Sequence, residues 1–360
     1  MTDRTVLTSI GHVTVARRYY ACPSCPAKQT PFDAWAGIGN RSLTEHARRM
    51  VSLAGMSWSF DVAAKRLEEL CHVRVSDDTI ERVCQEEGQR ARSWMKESDE
   101  PVRAFAKAAG QAEFYTDGLK VNTTGGWREM RLSVFAKREP AAACEPEHWD
   151  RRVLNEPTVR LASCAIAASN IVGASWRRTA KRLGLSASSG HGLSVLGDGA
   201  RWIWDEAAKR FTCPAEWCLD VFHVSQHLHD CGKSLLGEGP AARSWANERR
   251  AHLLSFDGVG LIRRLSAERD AQGDTPRRAA MRGLLGYLDE NRDSMWYRDR
   301  LARGLPIGSG LVEGACKNAI HARLRLNSAR WRIRRAERIG ALRCLDYSGQ
   351  WDAYWAARAA

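Results

Sequence analysis

Between residues 111 and 223 apolar strands alternate with amphipathic helices, and this alternation restricts the fold more than any other feature of the chain. "QAEFYTDGLKVN" reads as a strand, "NTTGG" as a turn and "WREMRLSVFAKR" as the returning strand. Residues 139–157 hold three prolines and mixed charge and read as a loop. "TVRLASCAIAA" predicts a third strand, and "SNIVGASWRRTAKRLGL" a helix capped by Ser169. "GLSVLGDGA" predicts a short buried strand ending in Asp198, "RWIWDEAAKRF" a helix and "AEWCLDVFH" a further strand ending at Asp220. Residues 224–303 read as almost entirely helical. Strands first, then helix and strand in turn, then helices, make a layered α/β pattern.

Two carboxylates sit inside this apolar frame. Asp117 lies in mid-strand and Asp198 at a strand end, where a carboxylate is costly unless it is paired or metal-bound. An Asp-Gly pair is also a turn dipeptide. For Asp117 that reading is weak, because the apolar run continues through Leu119 and Val121 and the turn is better placed at Thr124-Gly125-Gly126. For Asp198 it stays open. A third acid, Glu313, stands among cations in "LPIGSGLVEGACKNAIHARLR". Ser309 is a plausible N-cap there, and apolar residues at 312, 315, 316, 319, 320 and 324 have helical spacing. A plain account makes Glu313 a first-turn acid favoured by the helix dipole, with Lys317 one turn on. The alternative is a set of hard oxygen ligands for Mg²⁺ or Mn²⁺. Two such ions about 3.5–4 Å apart suit phosphodiester chemistry. In "CLDVFHVSQHL", Asp220 is followed by His223 and His227; Cys213, Cys218, His223 and His227 form a rival zinc set, and a satisfied helix-start pair is the plainer account of the histidines.

The N-terminal part differs in texture. Residues 4–20 predict a β-hairpin followed by "CPSC", and residues 42–94 predict three helices with Ser59 and Ser76 as caps, a helix-turn-helix-like arrangement. Eleven scattered cysteines, with no signal-peptide-like segment, read as reduced thiols. No apolar run approaches the roughly 18 residues of a membrane-spanning helix, so a soluble, unexported chain is expected. Fifty-five Lys and Arg against 42 Asp and Glu give a formal charge of +13, which points to a polyanion, nucleic acid before a membrane surface. "RLRLNSARWRIRRAERIGALR" carries eight arginines between 323 and 343. It suits DNA-backbone contact through Arg323, Arg325, Arg330, Arg332, Arg334, Arg335 and Arg338, with Trp331 among them, although a solvated helix face is the simpler alternative.

Together "YTDG", "LGDGARWIW", "LDVFHVSQHL" and "PIGSGLVEGACKNAIHARL" resemble bacterial insertion-sequence transposases of the ISKra type, in the Mutator-like DDE group, over about residues 5–345. The resemblance implies a ribonuclease H-like catalytic core with a mixed sheet, preceded by a helix-turn-helix-like module and interrupted by a helical insertion. It implies an acidic triad, Asp117, Asp198 and Glu313, as both catalytic residues and ligands of two Mg²⁺ or Mn²⁺ ions. Asp220 and His223 are an accompanying signature, and with Lys317 are candidates for positioning DNA or water. The expected segments are 1–40, a hairpin with half of a zinc-ribbon-like site; 41–100, the helical DNA-binding module; 101–231, the first part of the core; 232–305, the insertion; 306–345, the last part of the core with the third acid and a basic helix; and 346–360, a tail. The family's zinc ribbon has two Cys pairs, and only Cys22 and Cys25 stand here, so stable zinc binding is not expected; either the copy is shortened or its start was assigned late. The expected activity is DNA cleavage and strand transfer on double-stranded element ends and targets, by a homo-oligomer on DNA, cytoplasmic and nucleoid-associated. A non-catalytic transposase-derived DNA-binding protein and a nuclease on the same fold stay open.

Overall fold

The computed structural model describes residues 1–360 except 37, 39–41, 188–191, 272–275, 327 and 360. The chain opens with the hairpin β1 (Thr2–Thr8) and β2 (Gly11–Arg17), then a minimal hairpin, β3 (Tyr20–Ala21) and β4 (Lys28–Gln29), which brackets Cys22 and Cys25. The helices α1 (Pro31–Trp35), α2 (Glu45–Ser57), α3 (Phe60–Cys71), α4 (Asp77–Glu97) and α5 (Glu100–Lys107) follow. Then come β5 (Gln111–Thr123), β6 (Gly126–Arg138), β7 (Val159–Ala165), α6 (Ser169–Arg182), β8 (Leu193–Gly197), α7 (Arg201–Arg210) and β9 (Ala215–Leu219). The rest is helical: α8 (Val221–Leu236), α9 (Pro240–Asp270), α10 (Pro276–Glu290), α11 (Tyr297–Ala302), α12 (Gly310–Ala315), a π-helical turn (Cys316–His321), α13 (Ala322–Leu324), α14 (Ile333–Tyr347) and α15 (Trp351–Ala359). Helix α8 runs unbroken through residue 232.

Two compact units form. The first comprises Met1–Ser98, Lys120–Arg128 and Lys317–Ala360; the second comprises Asp99–Leu119 and Glu129–Cys316. The second holds the body of a mixed five-stranded sheet in the order β7-β6-β5-β8-β9. β6 and β7 are antiparallel, whereas β8 runs parallel to both β5 and β9. Its core is aromatic on one face: Phe114 lies 4.8–4.9 Å from Phe135, Trp176 and Phe211, ring centre to ring centre. The Trp176 indole N–H donates to Ser133 Oγ at 2.8 Å, so burial leaves no orphan donor there.

In the first unit α2, α3 and α4 pack on one another, and α14 packs along α4. Gly88 permits that approach, since a Cβ there would fall 2.2 Å from the carbonyl oxygen of Arg338. Thr44 and Ser76 cap α2 and α4 through backbone N–H groups of Ala47 and Thr79. Three expected caps differ. The Ser59 hydroxyl makes no cap bond and engages Asp61 instead. Ser169 is the first residue of α6, and Ala168 occupies the cap position. Ser309 occupies the cap position of α12 but spends its hydroxyl on carboxylates. The unforeseen cap is Asp220, which accepts from the Phe222 N–H at 2.7 Å and starts α8. Among the described residues no helix is long and apolar enough to cross a membrane.

Candidate active site

The parallel half of the sheet sets the register of the acids. Tyr115 pairs with Leu196 and Leu196 with Cys218. Asp117, Asp198 and Asp220 each stand two residues further along, so the three adjoining strands deliver three carboxylates at one level, just past the C-terminal ends of β8 and β9 and inside β5. That edge is where open α/β sheets place their sites. The turn at Thr124-Gly125 lies well beyond Asp117, which is inside β5 and not in a hairpin turn.

Each acid is anchored to backbone or hydroxyl groups. Asp117 accepts from the Gly118 N–H at 2.6 Å, and Asp198 from the Ala200 N–H at 2.9 Å. The Tyr287 hydroxyl of α10 reaches the Asp198 carbonyl at 3.4 Å. Glu313 joins the row through Ser309, whose hydroxyl donates to Asp220 Oδ2 and lies 3.4 Å from Glu313 Oε1. The strap before it is held by the Val221 N–H, which donates to the Ile307 carbonyl at 3.0 Å. His223 completes the group, with Nδ1 3.1 Å from Asp220 Oδ2.

The electrostatics follow from this crowding. Burial pushes the Asp117 carboxyl up; the Gly118 N–H opposes it, and the Asp198 charge pushes it further up. Burial also pushes Asp220 up, but the bonds from His223, Ser309 and the Phe222 N–H outweigh it and hold the group below the usual carboxylate range. His223 is raised by its bond to Asp220, against burial, and the charges of Asp198 and Glu313 add to the rise. Burial and the charges of Asp117 and Glu313 push the Cys316 thiol up, 3.8 Å from Asp117 Oδ2. Asp117, Asp198 and Glu313 therefore feel one another directly or through shared neighbours. Among the described residues no Lys or Arg forms an ion pair with any of the three, and His223–Asp220 is the ion pair of the row.

The donor set is of the type a hard divalent ion takes: carboxylate oxygens at a sheet edge, with no Lys or Arg paired to them among the described residues and His223 paired to Asp220. Among the described residues, however, no three His, Cys, Asp or Glu side chains are gathered closely enough to hold a metal. Unshielded carboxylates repel one another, which favours a looser spacing than metal ligands have. The rival zinc set is not assembled. Cys218 is fully buried with its thiol toward main-chain carbonyls, His223 is taken by Asp220, and His227 stacks on Tyr287 at 3.9 Å. At the N-terminus Cys22 is exposed and bonds Ser24 at 3.2 Å; hydrogen bonds from Ser24 and Cys25 lower its thiol to about 7.

The arginine segment divides into two kinds. Arg323 is buried; it donates to the Gly55 carbonyl at 3.0 Å and lies over the rings of Phe60 and Trp331. Burial lowers its pKa to about 10. Trp331 is buried too, donating to the Leu324 carbonyl and bridging its backbone to Asn122 and Thr124. These two are packing residues and not surface contacts, because an apolar niche formed by Phe60 takes both. Arg325, Arg330, Arg332 and Arg334 are exposed. The first three precede α14, which begins at Ile333 and carries Arg334, Arg335, Arg338 and Arg343. Arg335 pairs with Glu81 and, with Arg338, lines a mixed-charge groove of about 630 Å³ in the first unit. Lys317 is exposed in the π-helical turn.

Sequence reading missed Ser309 as the link between acids, Tyr287 behind Asp198 and Cys316 beside Asp117. Cys316 had a signal: it falls three residues after Glu313 on the same apolar stripe. Tyr287 had none, being distant in sequence and part of a helix without other marks. No protein-family model matches the chain, and no curated protein matches it.

Proposed function

We propose that the chain is a DDE-type transposase of the insertion-sequence kind its motifs resemble, cleaving DNA phosphodiester bonds and transferring the freed strand. The observation that carries this reading is the row of Asp117, Asp198 and Asp220 at one sheet edge, joined by Glu313 and free of neutralising Lys or Arg among the described residues. A sheet with an antiparallel half followed by a parallel half, and with acids at the parallel strand ends, supports a ribonuclease H-like core.

Asp117, Asp198 and Glu313 would hold Mg²⁺ or Mn²⁺. Bound there, two ions would supply positive charge that activates water or a 3′-hydroxyl and stabilises the leaving oxygen. The chain's own groups do the rest. Asp220 fixes the His223 ring through Nδ1, leaving Nε2 to orient a phosphate oxygen. Ser309 holds Asp220 and Glu313 in one array, so the strap before α12 sets the position of the third acid. The exposed Arg325, Arg330, Arg332 and Arg334 suit sequence-independent contact with DNA phosphates, on element ends and targets alike. Strand transfer at two ends calls for a homo-oligomer on DNA, working at the nucleoid.

The test is cleavage and joining by purified protein, with element-end DNA taken from the sequence flanking the reading frame. Wild type is expected to cut in Mg²⁺ or Mn²⁺ and join the 3′ end to a target, and Glu313→Gln to do neither. Cutting without joining would make the protein a nuclease. Binding without cutting would make it a non-catalytic DNA-binding protein.

A further inference from the structure

Beside the acid row lies an aromatic pair that the cleavage chemistry leaves unused. Phe222 follows Asp220 by two residues and precedes His223, and its N–H donates to the capping carboxylate of Asp220. Its position is therefore tied to the site. Phe222 is 56% exposed, high for a Phe on a helix whose other face is buried. One edge rests against Gly308, where a Cβ would come 2.9 Å from the ring. The ring of Trp149 stands 5.6 Å away at 50°, and the Arg250 guanidinium of α9 lies 5.3 Å over Trp149.

Trp149 is held in place, although it belongs to the long loop between β6 and β7. The Ala141 and Cys144 N–H groups donate to the carbonyls of Gly304 and Leu301, and Arg152 donates to that of Leu305. That loop thus runs along the strap leading to Ser309 and Glu313. Two half-open aromatic rings, one capped by a guanidinium, are fixed at the margin of a centre that would hold DNA.

We propose that Phe222 and Trp149 form a stacking platform for one unpaired nucleobase of the DNA held at the acid row, with Arg250 serving its phosphate. The proposal rests on the reading of the row as a DNA-cleaving centre. A paired base has both faces covered by its neighbours in the duplex, so only a splayed or single-stranded base can lie on these rings. Stacking of this kind tolerates any sequence, because every base has a π-face. The arginine adds attraction both for the ring system and for the backbone. Opening a DNA end before cutting or joining would supply such a base.

The test compares two labelled duplexes of equal length and phosphate count, bound by the full-length protein in EDTA. One carries a short thymine overhang and the other an abasic overhang. Wild type is expected to prefer the thymine overhang by about fivefold or more, a low value for one stacked base. Phe222→Ala and Trp149→Ala should bind the abasic duplex as wild type does and lose the preference, whereas Phe222→Trp should keep it. If Trp149→Ala fails to fold, Phe222→Leu gives the same reading from a half-exposed position. Equal binding of both duplexes by wild type, or a preference that survives Phe222→Ala, would overturn the platform. Preference without cleavage in Mg²⁺ would uphold the platform and sink the transposase reading, and cleavage without preference would do the reverse.

Discussion

Glu87 and Asp117 are both acids withdrawn from water, and the chain treats them in opposite ways. Glu87, fully buried in the first unit, is surrounded by cations and a phenol. Arg48 Nε and Arg90 Nη1 donate to its Oε1 at 2.8 and 2.7 Å, the Tyr354 hydroxyl to Oε2 at 2.7 Å, and Arg358 also to Oε2. Those partners come from α2, α4 and α15, so one carboxylate ties three helices together. In the second unit Glu113 is similar, bonded by Arg138 and Tyr115. Among the described residues Asp117 is bonded by a backbone N–H and a thiol; the Asp198 charge repels it and the His223 ring attracts it. A chain with 55 basic residues had cations to spare for the acid row. Their absence from its ion pairs, among the described residues, is what the proposed metal role of the row requires, whereas Glu87 is a structural knot.

Substitutions probe this contrast, from the largest expected effect to the smallest. Glu313→Gln removes charge from the row while keeping size, and metal-dependent DNA cleavage should fall on the order of 10³-fold, several kcal/mol of lost transition-state stabilisation. Circular dichroism should be unchanged. Glu87→Gln should remove the charge that Arg48, Arg90 and Arg358 share, leaving Arg48 to Glu86 and Arg358 to Glu45, and destabilise the fold by roughly 3 kcal/mol, a melting-temperature drop of about 5–10 °C in thermal unfolding. A mild effect there would erase the distinction between knot and site.

Replacing Arg330, Arg332 and Arg334 together should weaken DNA binding on every sequence. The slope of log affinity against log salt should flatten by up to about 0.9 for each DNA phosphate that loses its arginine. Arg323→Ala should lower stability and leave that slope alone, since its guanidinium is spent on Gly55 and two aromatic rings. Asp117→Asn keeps an oxygen for the Gly118 N–H and relieves both burial and repulsion of charge. It should abolish cleavage yet raise the melting temperature at neutral pH by about 1–3 °C. Acid pH should shrink that gain, because the wild-type carboxyl is held above its ordinary value and takes up its proton there.

The smallest effect concerns His223, raised by its bond to Asp220 and by the charges of Asp198 and Glu313. Its folded pKa lies above the unfolded one. Its contribution to stability is therefore complete below about pH 6.5 and is lost as pH rises through the folded value. In metal-free buffer the stability gap between wild type and His223→Gln should be wider at about pH 5.5 than at about pH 8.5. A gap that widens with pH would contradict the Asp220–His223 pairing.

Local features of this site could be read in the sequence, and long-range ones could not. The strand through Asp117 was legible because Leu119 and Val121 continue the apolar run and Thr124-Gly125 supplies a better turn. The stripe from Val312 to Leu324 was legible for the same reason, and all six of its spaced apolar residues are buried. The parallel register that aligns Asp117, Asp198 and Asp220 depends on strand pairing across long stretches of chain, which no local pattern encodes. Ser309 has the sequence neighbours of a cap; the carboxylates that take its hydroxyl arrive only on folding. Arg323 and Trp331 sit in a run of arginines, which reads as surface. The Phe60 niche that buries them comes from α3, far upstream.

The most direct test of the contrast is a crystal structure of the protein soaked in Mn²⁺, read by its anomalous signal. The acid row should show an Mn²⁺ peak contacting the carboxylates of Asp117 and Asp198, with no peak at Glu87, and Asp198→Asn should abolish it. Mn²⁺ absent from the row at saturating concentration, or a row closed by a Lys or Arg side chain instead, would contradict the account.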